Sequence, residues 1–265
     1  MEKDQKSTGV YVVVIILCLL VLGLGGFIVY DKVLSKNDNS NKSSTEKTET
    51  KTNSLVSKLD KDKDWVYAAE YEKKVTVDYY DLNRERYYLS DVVVPYFNID
   101  SSFAKEANEE TKKAFDKAIE IYNEGAKGAS KFVKTNYQKN IYKDSLSVVL
   151  TYSKGGTDVV HPEYYTYNID LNTGKKLSYE EVYKLAGFSS DNIETKVKSA
   201  ITTYFKKYYS DFTDDYATKT IEKYQDSVKN STIKYFLSGS GKLSIIVTFI
   251  IPAGTGEFAT IVTID

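Results

Sequence analysis

An apolar run near the N-terminus constrains this chain more than any other feature, because residues 10–30 contain no charged side chain. About 20 residues of α-helix, at about 1.5 Å of rise each, cross a hydrocarbon layer of about 30 Å. Tyr11 and Tyr30 stand at the two ends of the run, where aromatic rings favour the membrane interface. The sequence therefore predicts a single transmembrane helix over residues 10–30, embedded in a lipid bilayer.

A cleaved signal peptide is the alternative interpretation of the same run. Gly23, Gly25 and Gly26 are small enough for a signal peptidase to accept. However, apolar residues continue from Phe27 to Val29, which makes the run long for the hydrophobic region of a signal peptide. We therefore expect an uncleaved span.

The orientation of the predicted span is argued from its two flanks. Residues 1–9 form a short tail that we expect in the cytoplasm, and we expect the domain that follows outside the cell. A count of lysines near the span favours the reverse orientation, but that rule weakens when a long domain follows. The predicted location is the cell membrane, with one pass and an extracytoplasmic C-terminal domain.

Residues 31–63 are rich in Ser, Thr, Asn, Lys and Glu and poor in large apolar side chains. Such a composition buries too little surface to offset the entropy of ordering the chain. We therefore expect a disordered linker with a mean reach of roughly 30 Å, and a folded domain that starts near Asp64.

The composition of the whole chain excludes several classes of function. A formal net charge of -1 and scarce arginine give no electrostatic basis for nucleic-acid binding. Cys18, the single cysteine, lies inside the apolar run, so the expected domain has no disulfide, thiolate zinc site or cysteine nucleophile. The 24 tyrosines fit half-buried strands or a binding surface, and we favour strands.

Helix and strand patterns follow one another without regular alternation, which predicts an α+β domain of antiparallel sheet with packed helices. An apolar stripe from Phe103 to Tyr122 predicts a helix, capped by Ser101 or Ser102 and ended by Gly125. This helix is the longest element expected between the linker and the middle of the chain.

The other expected elements come from periodicity and turn signals. We expect a strand that is stopped or bulged at Pro95, and a helical piece around residues 132–133. Ser178 and Glu181 have the spacing of a helix capping box, and Gly174 suits a turn. The remaining predictions are strands at residues 145–153, 164–171, 233–239, 242–252 and 258–265, and helices at residues 191–209 and 216–228.

One motif resembles a known family. The stretch Tyr-Asn-x-Asp-x-x-Thr-Gly-Lys, from Tyr167 to Lys175, is the most specific part of a likeness to the DUF3298 domain. Residues 158–265 resemble that domain, and residues 64–157 are similar to the DUF4163 region that commonly precedes it. This arrangement resembles the ectodomain of RsiV-type anti-sigma factors.

The resemblance implies a non-catalytic module displayed at the cell surface. In some members of the family it is a receptor for lysozyme, and in others it is an accessory to cell-wall enzymes. Residues 1–9 are too short to fold into the cytoplasmic domain that would hold a sigma factor, which argues against control of transcription.

His161, the single histidine, begins the stretch that we take as the candidate ligand surface, together with Tyr164, Tyr165 and Tyr167. As a general base, His161 would need a nucleophile or an orienting carboxylate. The sequence offers no serine elbow or cysteine beside it, so a histidine that fixes a turn is the favoured interpretation.

Acidic residues elsewhere in the sequence raise the question of a metal site. Asp60, Asp62 and Asp64 imitate the start of a calcium loop, but Trp65 and Tyr71 occupy positions that need glycine and glutamate. We therefore expect no metal, no cofactor and no catalytic residue.

Taken together, the sequence predicts a membrane-anchored, non-catalytic binding module of the bacterial cell envelope. Its expected ligand is a cell-wall component such as peptidoglycan, or a surface protein such as a lysozyme-like muramidase. One alternative is an envelope stress sensor that resembles an anti-sigma factor. A further alternative is an accessory to a cell-wall hydrolase, or an unrecognised hydrolase.

Overall fold

Strands and helices follow one another in blocks in the computed structural model of this protein. All described residues belong to one compact unit. The structure describes residues 55–73, 79–80, 86–127, 131–155, 161–210, 213–251 and 256–265. Within these residues the fold is α+β and its paired strands are antiparallel, as predicted.

Four short strands open the described part of the chain. Strand β1 (Val66–Ala68) pairs with β4 (Pro95–Phe97), and β2 (Tyr79–Tyr80) pairs with β3 (Arg86–Tyr87). The prediction that Pro95 stops or bulges a strand is wrong, because Pro95 is the first residue of β4. A proline fits that position, since its missing N–H removes no bond from the middle of the ladder.

Helix α1 (Ser102–Ala126) follows and confirms the predicted stripe. The Ser101 hydroxyl accepts a hydrogen bond of 3.1 Å from the backbone N–H of Ala104, so Ser101 is the N-cap. Gly125 lies inside the last turn and is buried. The buried face of α1 consists of Ala104, Ala107, Thr111, Ala114, Phe115, Ala118, Tyr122 and Gly125.

The first three-stranded sheet has the order β5-β6-β7, with β5 (Phe132–Tyr142), β6 (Ser145–Gly155) and β7 (His161–Asp170). The helical piece predicted at residues 132–133 is wrong, because these residues start β5. Val133 and Thr135 are buried while their neighbours are more exposed, which is the period of a strand. The Thr135 hydroxyl also holds the backbone of Val93, donating to its carbonyl over 2.6 Å.

Three helices come next: α2 (Tyr179–Leu185), α3 (Ser190–Tyr208) and α4 (Thr213–Lys229). The capping box predicted at Ser178 and Glu181 is confirmed, with Glu181 Oε2 accepting from the Ser178 N–H over 2.7 Å. Helix α3 confirms the helix predicted at residues 191–209, and its buried face consists of Ile193, Val197, Ile201 and Phe205.

The second three-stranded sheet has the order β8-β9-β10, with β8 (Lys234–Leu237), β9 (Leu243–Ile250) and β10 (Glu257–Thr263). The largest core cluster joins residues of α2, α3 and α4 to this sheet. Two further clusters join α1 to the β5-β6-β7 sheet and to the β1-β4 pair. Residues 145–150 of β6 are all buried, so this central strand is covered on both faces.

The predicted linker differs from the structure over residues 55–63. The Val56 N–H donates to the Leu171 carbonyl over 2.6 Å, which ties this segment to the end of β7. Asn98 is fully buried, and its side-chain amide donates to the Asp60 carbonyl over 2.7 Å while its oxygen accepts from the Asp60 N–H over 2.7 Å. These bonds order a polar segment that has little apolar surface of its own.

Two other sequence expectations concern the N-terminal membrane span and the boundary between the two predicted regions of the domain. The predicted span, residues 10–30, lies outside the described residues, and so do the tail 1–9 and residues 31–54. Among the helices that are described, none is long and apolar enough to cross a membrane. The boundary expected at 157/158 separates β6 from β7, which are neighbours in one sheet.

Candidate functional site

Strand β7 carries the four residues of the candidate ligand surface, and it divides the three tyrosines between two faces. His161 is the first residue of β7 and pairs with Lys154, and its side chain lies outside what the structure describes. Side chains alternate along a strand, so Tyr165 and Tyr167 lie on the face opposite to Tyr164. The structure therefore does not bring the three tyrosines together on one exposed surface.

Tyr167 is a core residue, with 3 % of its surface exposed. Its ring centroid lies 5.0 Å from that of Phe97, in an edge-to-face arrangement. Burial, followed by the nearby charge of Glu110, raises the pKa of Tyr167 far above its usual value. Tyr164 is half-buried, and burial raises its pKa too.

Glu163 connects the start of β7 to its surroundings. It accepts a hydrogen bond from Lys154, lies 3.9 Å from the Lys117 ammonium group, and accepts from the Tyr165 hydroxyl over 3.3 Å. Burial alone would raise the pKa of Glu163, but the hydrogen bond and charge of Lys154 and the charge of Lys117 lower it overall. The network holds the Tyr165 hydroxyl on β7, which is an edge strand of the β5-β6-β7 sheet.

The stretch from Tyr167 to Lys175, which resembles the DUF3298 motif, contains a buried polar bridge between the β5-β6-β7 and β8-β9-β10 sheets. Asn168 Oδ1 accepts from the Ser147 hydroxyl over 2.6 Å, and Asn168 Nδ2 donates to the Tyr235 carbonyl over 2.8 Å. The Ser147 hydroxyl oxygen accepts from the Leu237 N–H over 3.0 Å. Asn168 thus holds β7 against β8, and its role is architectural.

The motif ends in a tight turn. Asp170 Oδ1 accepts from the Asn172 N–H over 2.8 Å, and Asp170 Oδ2 accepts from the Thr173 hydroxyl over 3.1 Å. Gly174 has φ 67, and a Cβ built there would lie 2.6 Å from the Ser101 Cβ. The glycine is therefore required both by its conformation and by the close approach of α1.

A cleft opens beside this turn, with a volume of about 480 Å³. We call it the turn cleft, because the β5–β6 turn, the end of β7 and helix α2 form its walls. Small-molecule sites usually have volumes of about 300–1,000 Å³, so the turn cleft is of that size. The residues that line it are Lys143, Asp144, Ser145, Asp170, Asn172, Leu177, Glu181, Lys184 and Leu185.

Two residues that line the turn cleft each carry a polar atom that is buried and has no hydrogen-bond partner in the described part of the chain. Ser145 is 3 % exposed, and its hydroxyl is buried without a partner. Asn172 Oδ1 is also buried without a partner, although the residue is partly exposed. Such atoms cost about 1–3 kcal/mol each when nothing replaces their bonds to water.

The charged groups around the turn cleft have both signs, and three of them already have partners. Asp170 binds the backbone of the turn and Glu181 caps α2. Lys184 donates to Glu180 over 2.6 Å. Lys143, in the β5–β6 turn, has φ 53, in the left-handed region that few residues other than glycine adopt. The cleft therefore has no excess of free charge of one sign.

Nothing in the sequence singles out Ser145 and Asn172 as candidate residues. Ser145 is one of many serines, and the apolar residues around it indicate only a strand. Asn172 follows Asp170 in a turn, where asparagine is common for conformational reasons. Only the pairing of β5, β6 and β7 places the two side chains beside α2.

The acidic residues near the start of the domain have structural partners. Asp60 Oδ1 accepts from the Asp62 N–H over 3.0 Å, which is a local turn bond. Asp64 lies 2.6 Å from the Lys139 ammonium group, and this hydrogen bond lowers the pKa of Asp64. Across the described residues, no group of three or more His, Cys, Asp or Glu side chains could hold a metal ion.

The structure is an α+β domain with two three-stranded antiparallel sheets and a cleft at a turn. Comparison with protein-family models and with curated proteins finds no match for the chain. The likeness to the DUF3298 domain stays a prediction, and its most specific motif has the architectural roles described above.

Proposed function

We propose that this chain is a membrane-anchored, non-catalytic binding module of the bacterial cell envelope. In this proposal its folded domain lies outside the cell and binds a cell-wall component or a surface protein such as a muramidase. The turn cleft is the candidate binding site, because its lining combines polar and charged side chains with Leu177 and Leu185. A ligand that bonds to the polar groups and covers the apolar ones gains from both features.

The state of the carboxylates supports binding over catalysis. A general acid or base must lie within hydrogen-bond reach of the group that it protonates or deprotonates. In the turn cleft, Asp170 and Glu181 instead accept hydrogen bonds from backbone N–H groups. Their roles in the turn and the helix cap favour a site that holds a ligand unchanged.

The membrane anchor is supported by the sequence of residues 10–30. An uncharged segment of this length matches the thickness of a bilayer. Proteolysis of intact cells tests the topology. We expect external protease to cut the domain before lysis, and a domain that is cut only after lysis would overturn the proposed orientation.

Retention on ligands tests the binding role. The full chain, held in lipid nanodiscs, is mixed either with purified cell-wall sacculi or with immobilised lysozyme, and empty nanodiscs serve as the control. We expect specific retention on at least one of the two. Retention on neither, by protein whose unfolding transition shows it to be folded, would overturn the proposal.

A further inference from the structure

We propose that residues 55–63 form a strap, a segment that opens as one unit while the rest of the described domain stays folded. Asn98 is the side chain that holds the strap closed. The inference goes beyond the proposed function, because it concerns a conformational change that does not depend on which ligand the domain binds. It starts from the kind of contact that joins the strap to the domain.

The strap buries little apolar surface. Val56 is partly buried and packs against the core cluster that contains Phe97. Leu55 and Leu59 are 46 % and 50 % exposed, so the two leucines of the strap gain little from burial. Hydrogen bonds are therefore the main interactions that keep the strap in place.

Two backbone hydrogen bonds join the first part of the strap to the domain. The Val56 N–H donates to the Leu171 carbonyl over 2.6 Å, and the Asp100 N–H donates to the Ser57 carbonyl over 2.9 Å. Leu171 follows β7 and Asp100 precedes α1, so both lie outside regular elements. Breaking these two bonds removes no bond from the ladder of a sheet or from a helix.

The side chain of Asn98 bonds to the second part of the strap. Its oxygen accepts from the Asp60 N–H over 2.7 Å, and its nitrogen donates to the Asp60 carbonyl over 2.7 Å and to the Asp64 carbonyl over 3.0 Å. Asn98 is fully buried, so these bonds form away from water, where an unpaired amide is costly. The strap and this side chain therefore gain or lose their bonds together.

These contacts leave the closed state only slightly favoured. Ordering the backbone of one residue costs about as much free energy as one net hydrogen bond gains. Each residue of the strap is ordered with little help from apolar burial. Segments of this kind open locally while the core of a domain stays folded.

Opening lengthens the chain between the folded domain and its N-terminal side. A chain extends by at most about 3.4 Å per residue, so the released strap spans up to about 30 Å. Strand β1 stays paired with β4, and the Asn98 N–H still donates to the Trp65 carbonyl over 2.8 Å. The domain can thus move away from residue 55 by that distance without losing a strand.

Hydrogen exchange of the full chain in lipid nanodiscs, resolved to single residues by mass spectrometry, tests the inference. The reporters are the amides of Val56, Asp60 and Asp100, which join the strap to the domain. We expect the three to share one degree of protection, about a hundredfold below that of residues 145–150 in β6, with a weak dependence on urea. Unequal protection among the three, or protection equal to that of β6, would overturn the strap as a separate unit.

Asn98→Ala tests what holds the strap closed. We expect it to speed exchange of the strap amides by about tenfold and to leave the amides of β6 unchanged. Asn108→Ala is the matched control, because the Asn108 amide bonds to the backbone of Phe97 in the same paired way. It should leave the strap unchanged, and equal acceleration in the two variants would overturn the assignment to Asn98.

Asp60→Pro keeps the test decisive if Asn98→Ala does not fold. It removes the N–H that donates to Asn98 while the buried side chain stays in place, and it should speed exchange of the other strap amides by about tenfold. Lys61→Pro is its control, because proline is common at the second position of a turn such as the one closed by the Lys63 N–H and the Asp60 carbonyl. Thermal unfolding checks that each variant is folded. Unchanged exchange in folded Asp60→Pro protein would overturn the role of Asn98.

Discussion

Ser147 and Asn168 lie on neighbouring strands and share a buried hydrogen bond of 2.6 Å, and each of them also bonds to the backbone of β8. Ser147 is fully buried and Asn168 is 3 % exposed. The two side chains thereby join the two three-stranded sheets through polar groups inside the domain. A buried network with every member satisfied fixes one arrangement of the elements that it connects.

Asn168→Ala should lower the free energy of unfolding by about 2–3 kcal/mol, because it leaves the Ser147 hydroxyl and the Tyr235 carbonyl with fewer partners. Urea unfolding measures the change. Asn136→Ala, at an exposed position of β5, is the matched control and should stay within about 0.5 kcal/mol. Equal losses in the two variants would contradict the bridging role.

Gly174→Ala should destabilise the domain by about 2 kcal/mol or more, since φ is 67 and the new Cβ would lie 2.6 Å from the Ser101 Cβ. Gly187→Ala, with φ 87 and no atom within 4 Å, isolates the conformational part and should cost about 1 kcal/mol. Gly239→Ala has open space and no positive φ, and it should have little effect. If Gly174→Ala costs no more than Gly187→Ala, the N-terminal end of α1 must shift to make room for the new Cβ.

Tyr152→Phe and Tyr235→Phe remove the same atom from two buried rings, with different expected results. The Tyr152 hydroxyl has no hydrogen-bond partner in the described part of the chain, so its loss should leave stability unchanged or raise it. The Tyr235 hydroxyl donates to the Leu177 carbonyl over 2.9 Å, and its loss should cost about 1 kcal/mol. Thermal unfolding of the two variants measures the difference. A larger loss of stability for Tyr152→Phe than for Tyr235→Phe would contradict the assigned hydrogen bonds.

Glu163 should contribute to the pH dependence of stability at acidic pH. The pKa of Glu163 in the fold lies below its usual value of 4.5 because of Lys154 and Lys117, which outweigh the effect of burial. Its stabilising contribution is therefore present above the pKa of the unfolded chain and is lost as the pH falls through the folded pKa. Glu163→Gln should flatten this acid limb, measured by unfolding between pH 3 and 7 in roughly half-unit steps.

A matched variant checks the cause of that shift. Lys154→Ala removes the hydrogen bond to Glu163 and should move the pKa of Glu163 upward, toward its usual value. The carboxyl carbon of Glu163, followed by NMR during an acid titration, reports the pKa directly. An unchanged titration would mean that Lys154 does not hold the carboxylate in solution.

The helices were predictable from sequence because their signals are local. The stripe of α1 and the capping box at Ser178 each depend on residues three or four positions apart. The terminal strands were also predictable, since alternation and the turn at Gly241, with φ 81, lie close together in the chain.

The wrong predictions have a different cause. They concern segments whose structure depends on contacts with distant parts of the chain. β5 carries many polar side chains, and its strand form depends on pairing with β6 along its whole length. Residues 55–63 resemble a linker in composition, but Asn98, far along the chain, supplies their hydrogen bonds. The turn cleft was unpredictable for the same reason, since Ser145 and Asn172 come to line one cleft only when β6 and β7 pair.

The hydrogen bond between the Val56 N–H and the Leu171 carbonyl places the start of the described domain next to Asn172. A load that reaches Val56 from the N-terminal side of the chain would pass to the strand end through this bond. It would thus act directly beside the wall of the turn cleft.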